Sequence, residues 1–100
     1  MPKQFVRDKK GNLIYLTDER WRHIIEFHPE MLNFKEHIFT TIKIGKRKQD
    51  PIDPTSYTYY NAFNDLEKGF NYVIVIVKFG ITESYESNNF ILTAFQKFIY

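Results

Sequence analysis

Cysteine is absent from this sequence, which excludes a disulfide framework, a thiolate zinc site and a thiol nucleophile. The missing disulfides are compatible with the cytoplasm, the expected location. Glycine and proline are sparse, at four each, and no Gly-rich phosphate loop, nucleophile elbow or acidic metal cluster occurs. No stretch approaches the roughly 18 to 20 apolar residues that a membrane span needs. The first ten residues carry charge and no long apolar run, so neither a signal peptide nor bilayer insertion is expected. The net charge is only +2, too small to argue for nucleic acid by itself.

What is present is a core. Apolar residues make up 43% of the chain, with ten Phe, seven Tyr and one Trp, and each aromatic buries about 150 to 250 Å². A chain of 100 residues buries roughly 60 to 68% of its unfolded surface, so a single domain spanning 1–100 is expected. Its basic residues are unevenly spread. Lys3, Arg7, Lys9 and Lys10 crowd the start, and Lys43, Lys46, Arg47 and Lys48 form a second cluster. Brought together, the two would attract a phosphate backbone through counterion release; held apart, they are solvated loop charge.

Residues 3–6 and 12–16 flank Asp8-Lys9-Lys10-Gly11 and read as a hairpin or two short edge strands. Thr17 is a fitting helix N-cap, because Asp18 and Glu19 follow where carboxylates complement the helix dipole. A helix over residues 18–27 or 28 places Trp21, Ile24, Ile25 and His28 on one face, and Pro29 stops it. Asn33 is positioned to cap a second helix in which Phe34, His37, Ile38, Thr41 and Ile42 share a face, with Gly45 as its stop. Residues 45–55 read as the main loop. Residues 56–63, 70–79 and 89–100 read as strands, the middle one buried on both faces or nearly so. Local connections among them favour antiparallel pairing. The expected fold is therefore α+β, with N-terminal helices packed on an antiparallel β-sheet.

For chemistry, His23 and His28 stand five positions apart, about 140° around a helix, which disfavours a shared metal; no metal or cofactor is expected. An imidazole can instead serve as general acid or base near neutral pH. RNA suits such chemistry because it carries its own nucleophile, the 2′-hydroxyl. The protein need only remove that proton, stabilise the phosphorane with Arg or Lys, and protonate the leaving 5′ oxygen. Arg20, Arg22, His23 and His28 lie on the first helix, while Lys78, Thr93 and Lys97 lie on the sheet. Tyr59 and Tyr60 could stack unpaired bases. Beside this stand plainer readings: His28 and His37 as packing residues, His23 as surface, the tyrosines as strand packing and Trp21 as core.

The run from Leu16 to Met31 resembles the opening helix of the phage- and bacteria-borne branch of the barnase, EndoU, colicin and RelE-like ribonucleases, whose pattern T-x-E-R-W-x-H-I-x-x-x-H-P-E it follows. The later motifs of that group read here as Val73-Ile74-Val75-Ile76-Val77-Lys78 and Leu92-Thr93-Ala94-Phe95. The likeness covers roughly residues 12–95. It implies a RelE/barnase-like fold, metal-independent RNA cleavage, and often service as a toxin restrained by an antitoxin or immunity protein. Position by position, Arg20, His23, His28, Lys78 and Thr93 fall on the motifs. Relatives usually carry an Arg on the sheet; residues 56–63 and 70–79 have none, so Lys78 or Arg47 would supply that charge.

The resulting expectation is an endoribonuclease. Its catalytic candidates are Arg20, His23, His28, Lys78 and Thr93, and its RNA-binding candidates are Lys46, Arg47, Lys48, Tyr59, Tyr60 and Lys97. A catalytically silent RNA- or protein-binding module of the same fold is the alternative. A third reading is a subunit that pairs through an exposed strand edge at residues 56–63.

Overall fold

Thr17 does what its position requires. Its hydroxyl accepts the backbone N–H of Arg20 at 3.0 Å, and helix α1 (Asp18–Phe27) begins at the next residue. The computed structural model describes residues 2–100. Before α1 run β1 (Lys3–Arg7) and β2 (Leu13–Thr17); after it come a 3-10 turn (Pro29–Met31), α2 (Lys35–Ile44), β3 (Lys46–Gln49), β4 (Ser56–Ala62), β5 (Tyr72–Lys78) and β6 (Asn89–Lys97). Helix α1 ends at His28, before Pro29. Helix α2 starts at Phe34 without a side-chain cap, so Asn33 does not cap it.

The six strands form one sheet in the order β1-β2-β6-β5-β4-β3. The expected antiparallel sheet is corrected to a mixed one, because β2 and β6 pair in parallel through Ile14–Asn89 and Tyr15–Phe90. The cause is local: β2 runs directly into its own helix cap and cannot turn back. Its inner neighbour is supplied by the last strand, whose direction is set by its antiparallel pairing with β5.

A second correction concerns residues 45–55. Lys46–Gln49 is not loop but an edge strand, paired in register with Tyr57–Tyr60. Lysine-rich edges resist pairing with other chains. Its presence makes β4 interior over residues 57–60, so that part of 56–63 is not a free edge.

Both helices pack on one face of the sheet. There Val73, Val75 and Val77 of β5 meet Ile14, Leu16, Ile91 and Ala94, together with Ile24, Met31, Ile38 and Ile42, and all of these are buried. Gly45 lets α2 approach β4: a Cβ there would lie 2.6 Å from the Tyr60 carbonyl oxygen and closer still to that of Thr41. Side chains alternate along strands, so the opposite face presents Thr58 and Tyr60 of β4, Ile74, Ile76 and Lys78 of β5, and Thr93, Phe95 and Lys97 of β6. No helix covers it. Ile74 is nonetheless only 6% exposed, shielded by its cross-strand neighbours Tyr60 and Phe95. A bulge between Ile76 and Val77 inserts Leu92, and this puts Thr93 on the open face although Ile91 points into the core.

Candidate functional site

The candidate residues are best located relative to β6. At its start, Arg20 shares a small cavity of about 150 Å³ with Tyr15, Thr17, Glu19, Phe90 and Ile91. The N-cap bond from Thr17 fixes the helix turn that carries Arg20. Near the far end, the His28 ring packs on Phe95, centroids 5.4 Å apart, with its Nδ1 3.8 Å from the Glu30 carboxylate. His28 reaches this strand because β2 accompanies β6 only as far as Phe90, leaving the rest of that side to the end of α1. Thr93 lies between the two, facing outward opposite Ile76.

His23 does not join them. It is exposed and stacks on Phe27, one turn along the same helix face, at 4.6 Å. Lys78 is on the open face opposite Phe90, but its ammonium is bound to the Asp53 carboxylate. That bond, first, and then donation from the Thr55 hydroxyl at 2.6 Å and the Thr55 N–H, hold the Asp53 carboxyl down to about 2. The loop after β3 thus reaches over and neutralises the one lysine on β5.

The RNA-binding candidates divide between the two faces. Lys48, Tyr60 and Lys97 line one open cavity of about 480 Å³ with Thr58, Ile74, Ile76, Phe95 and Ile99. Phe95 connects this cavity to His28. Lys46, cross-strand to Tyr60, is exposed at the sheet edge. Arg47 turns to the helix side instead, with its guanidinium carbon 4.2 Å from the Tyr57 ring centroid and 4.0 Å from the Asp8 carboxylate. It therefore does not face the open side of the sheet. Tyr59 is 1% exposed and donates its hydroxyl to Asp8 Oδ2 at 2.5 Å, so it is a core residue and presents no ring to a base. Burial and this hydrogen bond push the Tyr59 phenol well above its ordinary range.

Asp8 was not singled out by sequence reading. Its carboxylate also accepts the backbone N–H groups of Lys10 at 3.0 Å and Asn12 at 2.9 Å, and the Asn12 amide at 3.0 Å. Burial pushes its carboxyl up, but the bonds from Tyr59, Asn12 and Lys10 outweigh burial and hold it below the usual range. The available signal was the Asp-Lys-Lys-Gly-Asn turn, in which an Asp readily accepts amides two and four residues on. His37, read as structural, packs between Phe34 and Phe63 and bonds Asp65 through Nε2 at 2.9 Å.

In comparisons with known proteins, no family model, curated protein or solved structure matches the chain.

Proposed function

We propose that this protein is a metal-independent endoribonuclease of the RelE/barnase-like kind, binding single-stranded RNA on the uncovered sheet face. The observation that carries the proposal is the sharing of one strand by Arg20, Thr93 and His28 beside an open face that holds Lys48, Tyr60, Phe95 and Lys97. Half-buried rings next to free ammonium groups suit unpaired bases and their phosphates.

A rise of about 3.3 Å per residue puts Thr93 roughly 7 Å from both Phe90 and Phe95 along β6, because the bulge sets the three residues from Phe90 to Thr93 against only two of β5. A phosphate above Thr93 is then the position that Arg20 and His28 can approach from opposite ends. In this scheme His28 takes the proton of the 2′-hydroxyl, whose oxygen attacks the phosphorus. The bond to the 5′ oxygen breaks, that oxygen takes a proton from solvent water, and a 2′,3′-cyclic phosphate is left. Arg20 stabilises charge on the phosphorane and Thr93 orients one of its oxygens. Lys78 adds its charge only when Asp53 lets go. The reading extends to a toxin whose inhibitor covers the same face; growth arrest on expression, relieved by a neighbouring gene product, tests that extension.

The experiment is cleavage of total RNA and tRNA with EDTA present. Wild-type protein is expected to cut, and His28→Ala to lose about 10² to 10⁴ in rate, the usual worth of a general acid or base. His23→Ala is expected to cut normally. Wild type that leaves RNA intact, or His28→Ala that cuts as well as wild type, contradicts the assignment. A second reading, binding without cleavage, is favoured by the neutralised Lys78 and the isolated His23. It predicts salt-dependent RNA binding with no product.

A further inference from the structure

Parts of the two basic clusters, far apart in sequence, meet at one cavity. The turn joining β1 to β2 carries Lys9 and Lys10, and it faces Lys46 and Arg47 of β3 across a cavity of about 510 Å³ floored by Tyr59 and Gly45. Asp8 pins the turn there. Its carboxylate is 3% exposed, accepts four hydrogen bonds and faces Arg47. The charge of Asp8 is thereby matched by Arg47. Among the described residues, Lys9, Lys10 and Lys46 pair with no carboxylate.

Three unmatched ammonium groups around one cavity repel one another, and a ligand carrying several anionic groups would offset that repulsion. The cavity does not stand alone. Tyr60 lines both it and the sheet-face cavity that holds Lys48, Phe95 and Lys97, and the strand beyond Tyr60's own is the edge strand β3, around which a flexible chain can pass from one to the other. We infer that this groove is a second phosphate-backbone site carried by Lys9, Lys10 and Lys46, on which single-stranded RNA leaving the sheet face continues past Tyr60. The inference rests on the proposed RNA-binding function and extends it to residues outside the sheet. RNA fits better than an acidic peptide because the path runs onto the rings of Tyr60 and Phe95, where bases can stack.

The test is fluorescence anisotropy with non-cleavable 2′-O-methyl RNA of about four and about twelve nucleotides, within the site sizes of single-strand binders, against wild type and Lys9→Gln/Lys10→Gln. Both lysines are exposed turn residues, and an unchanged melting curve verifies the fold of the variant. Each single-strand phosphate contact contributes about 0.7 to the slope of log affinity against log salt. Losing two is expected to lower the slope for the longer RNA by about 1.4 and weaken it roughly 25-fold at 0.1 M salt, with the shorter RNA little affected. Unchanged slope and affinity for the longer RNA, with wild type still binding, overturn the second site and leave the sheet-face reading intact. Wild type that binds neither RNA overturns both. A polyglutamate peptide that binds wild type more tightly than the longer RNA, and is lost in the variant, overturns RNA in favour of an acidic protein partner.

Discussion

At the scale of single residues, the most consequential contact is one between positions 51 apart in sequence, Tyr59 and Asp8. A carboxylate out of water depends on every donor it has. Tyr59→Phe removes the shortest of them and is expected to lower unfolding stability by about 1 to 3 kcal/mol, read as a reduced urea midpoint at unchanged slope. Asp53 and Lys78 give a pH prediction. The Asp53 carboxyl titrates at about 2 when folded and at 3.8 when free, so the bound proton is disfavoured in the native state. The stabilisation is therefore complete above the free value and lost as pH falls through about 2. The difference in unfolding midpoint between wild type and Asp53→Asn should be constant at neutral pH, shrink below 3.8, and vanish only below about 2. Neither pair was legible in the sequence. Asp8 reads as one member of a charged turn, Tyr59 as one of several strand aromatics, and only the long-range closure of the turn onto β4 makes them partners.

At the scale of elements, local signals were readable where local physics decides. Thr17, the acidic first turn and Pro29 mark α1 to the residue, and Thr17→Ala is expected to cost about 0.5 to 2 kcal/mol, measured by thermal or urea unfolding. Strands β4, β5 and β6 were legible from their aromatic and β-branched runs, with ends misplaced by up to three residues. Strand β3 was not, because Lys-Arg-Lys-Gln has no intrinsic strand preference and is extended only by its ladder with β4. The parallel join of β2 to β6 was equally hidden, since it links residues about 75 apart. Gly45 was read as a helix stop, and it also permits the close approach of α2 to β4. Gly45→Ala is expected to destabilise by about 1 to 3 kcal/mol through overpacking, although its own backbone angles suit alanine.

At the scale of the whole molecule, the arrangement separates a covered face from an open one. Of the candidates read from sequence, Arg20 lies at the start of β6, Thr93 within it and His28 against Phe95 near its end, and Lys48, Tyr60 and Lys97 line the adjoining cavity. His23, Arg47 and Tyr59 do not, for reasons that no motif carries. His23 follows the helical repeat to the solvent side, while Arg47 and Tyr59 follow strand alternation to the helix side. The central claim is that RNA lies on the open face beside His28. Amide and methyl NMR shifts during titration with non-cleavable 2′-O-methyl RNA test it most directly. The account predicts perturbations at Thr58, Tyr60, Ile74, Ile76, Thr93, Phe95 and Lys97, together with the His28 ring. Perturbations confined to the solvent sides of α1 and α2, with those residues unmoved, would contradict it.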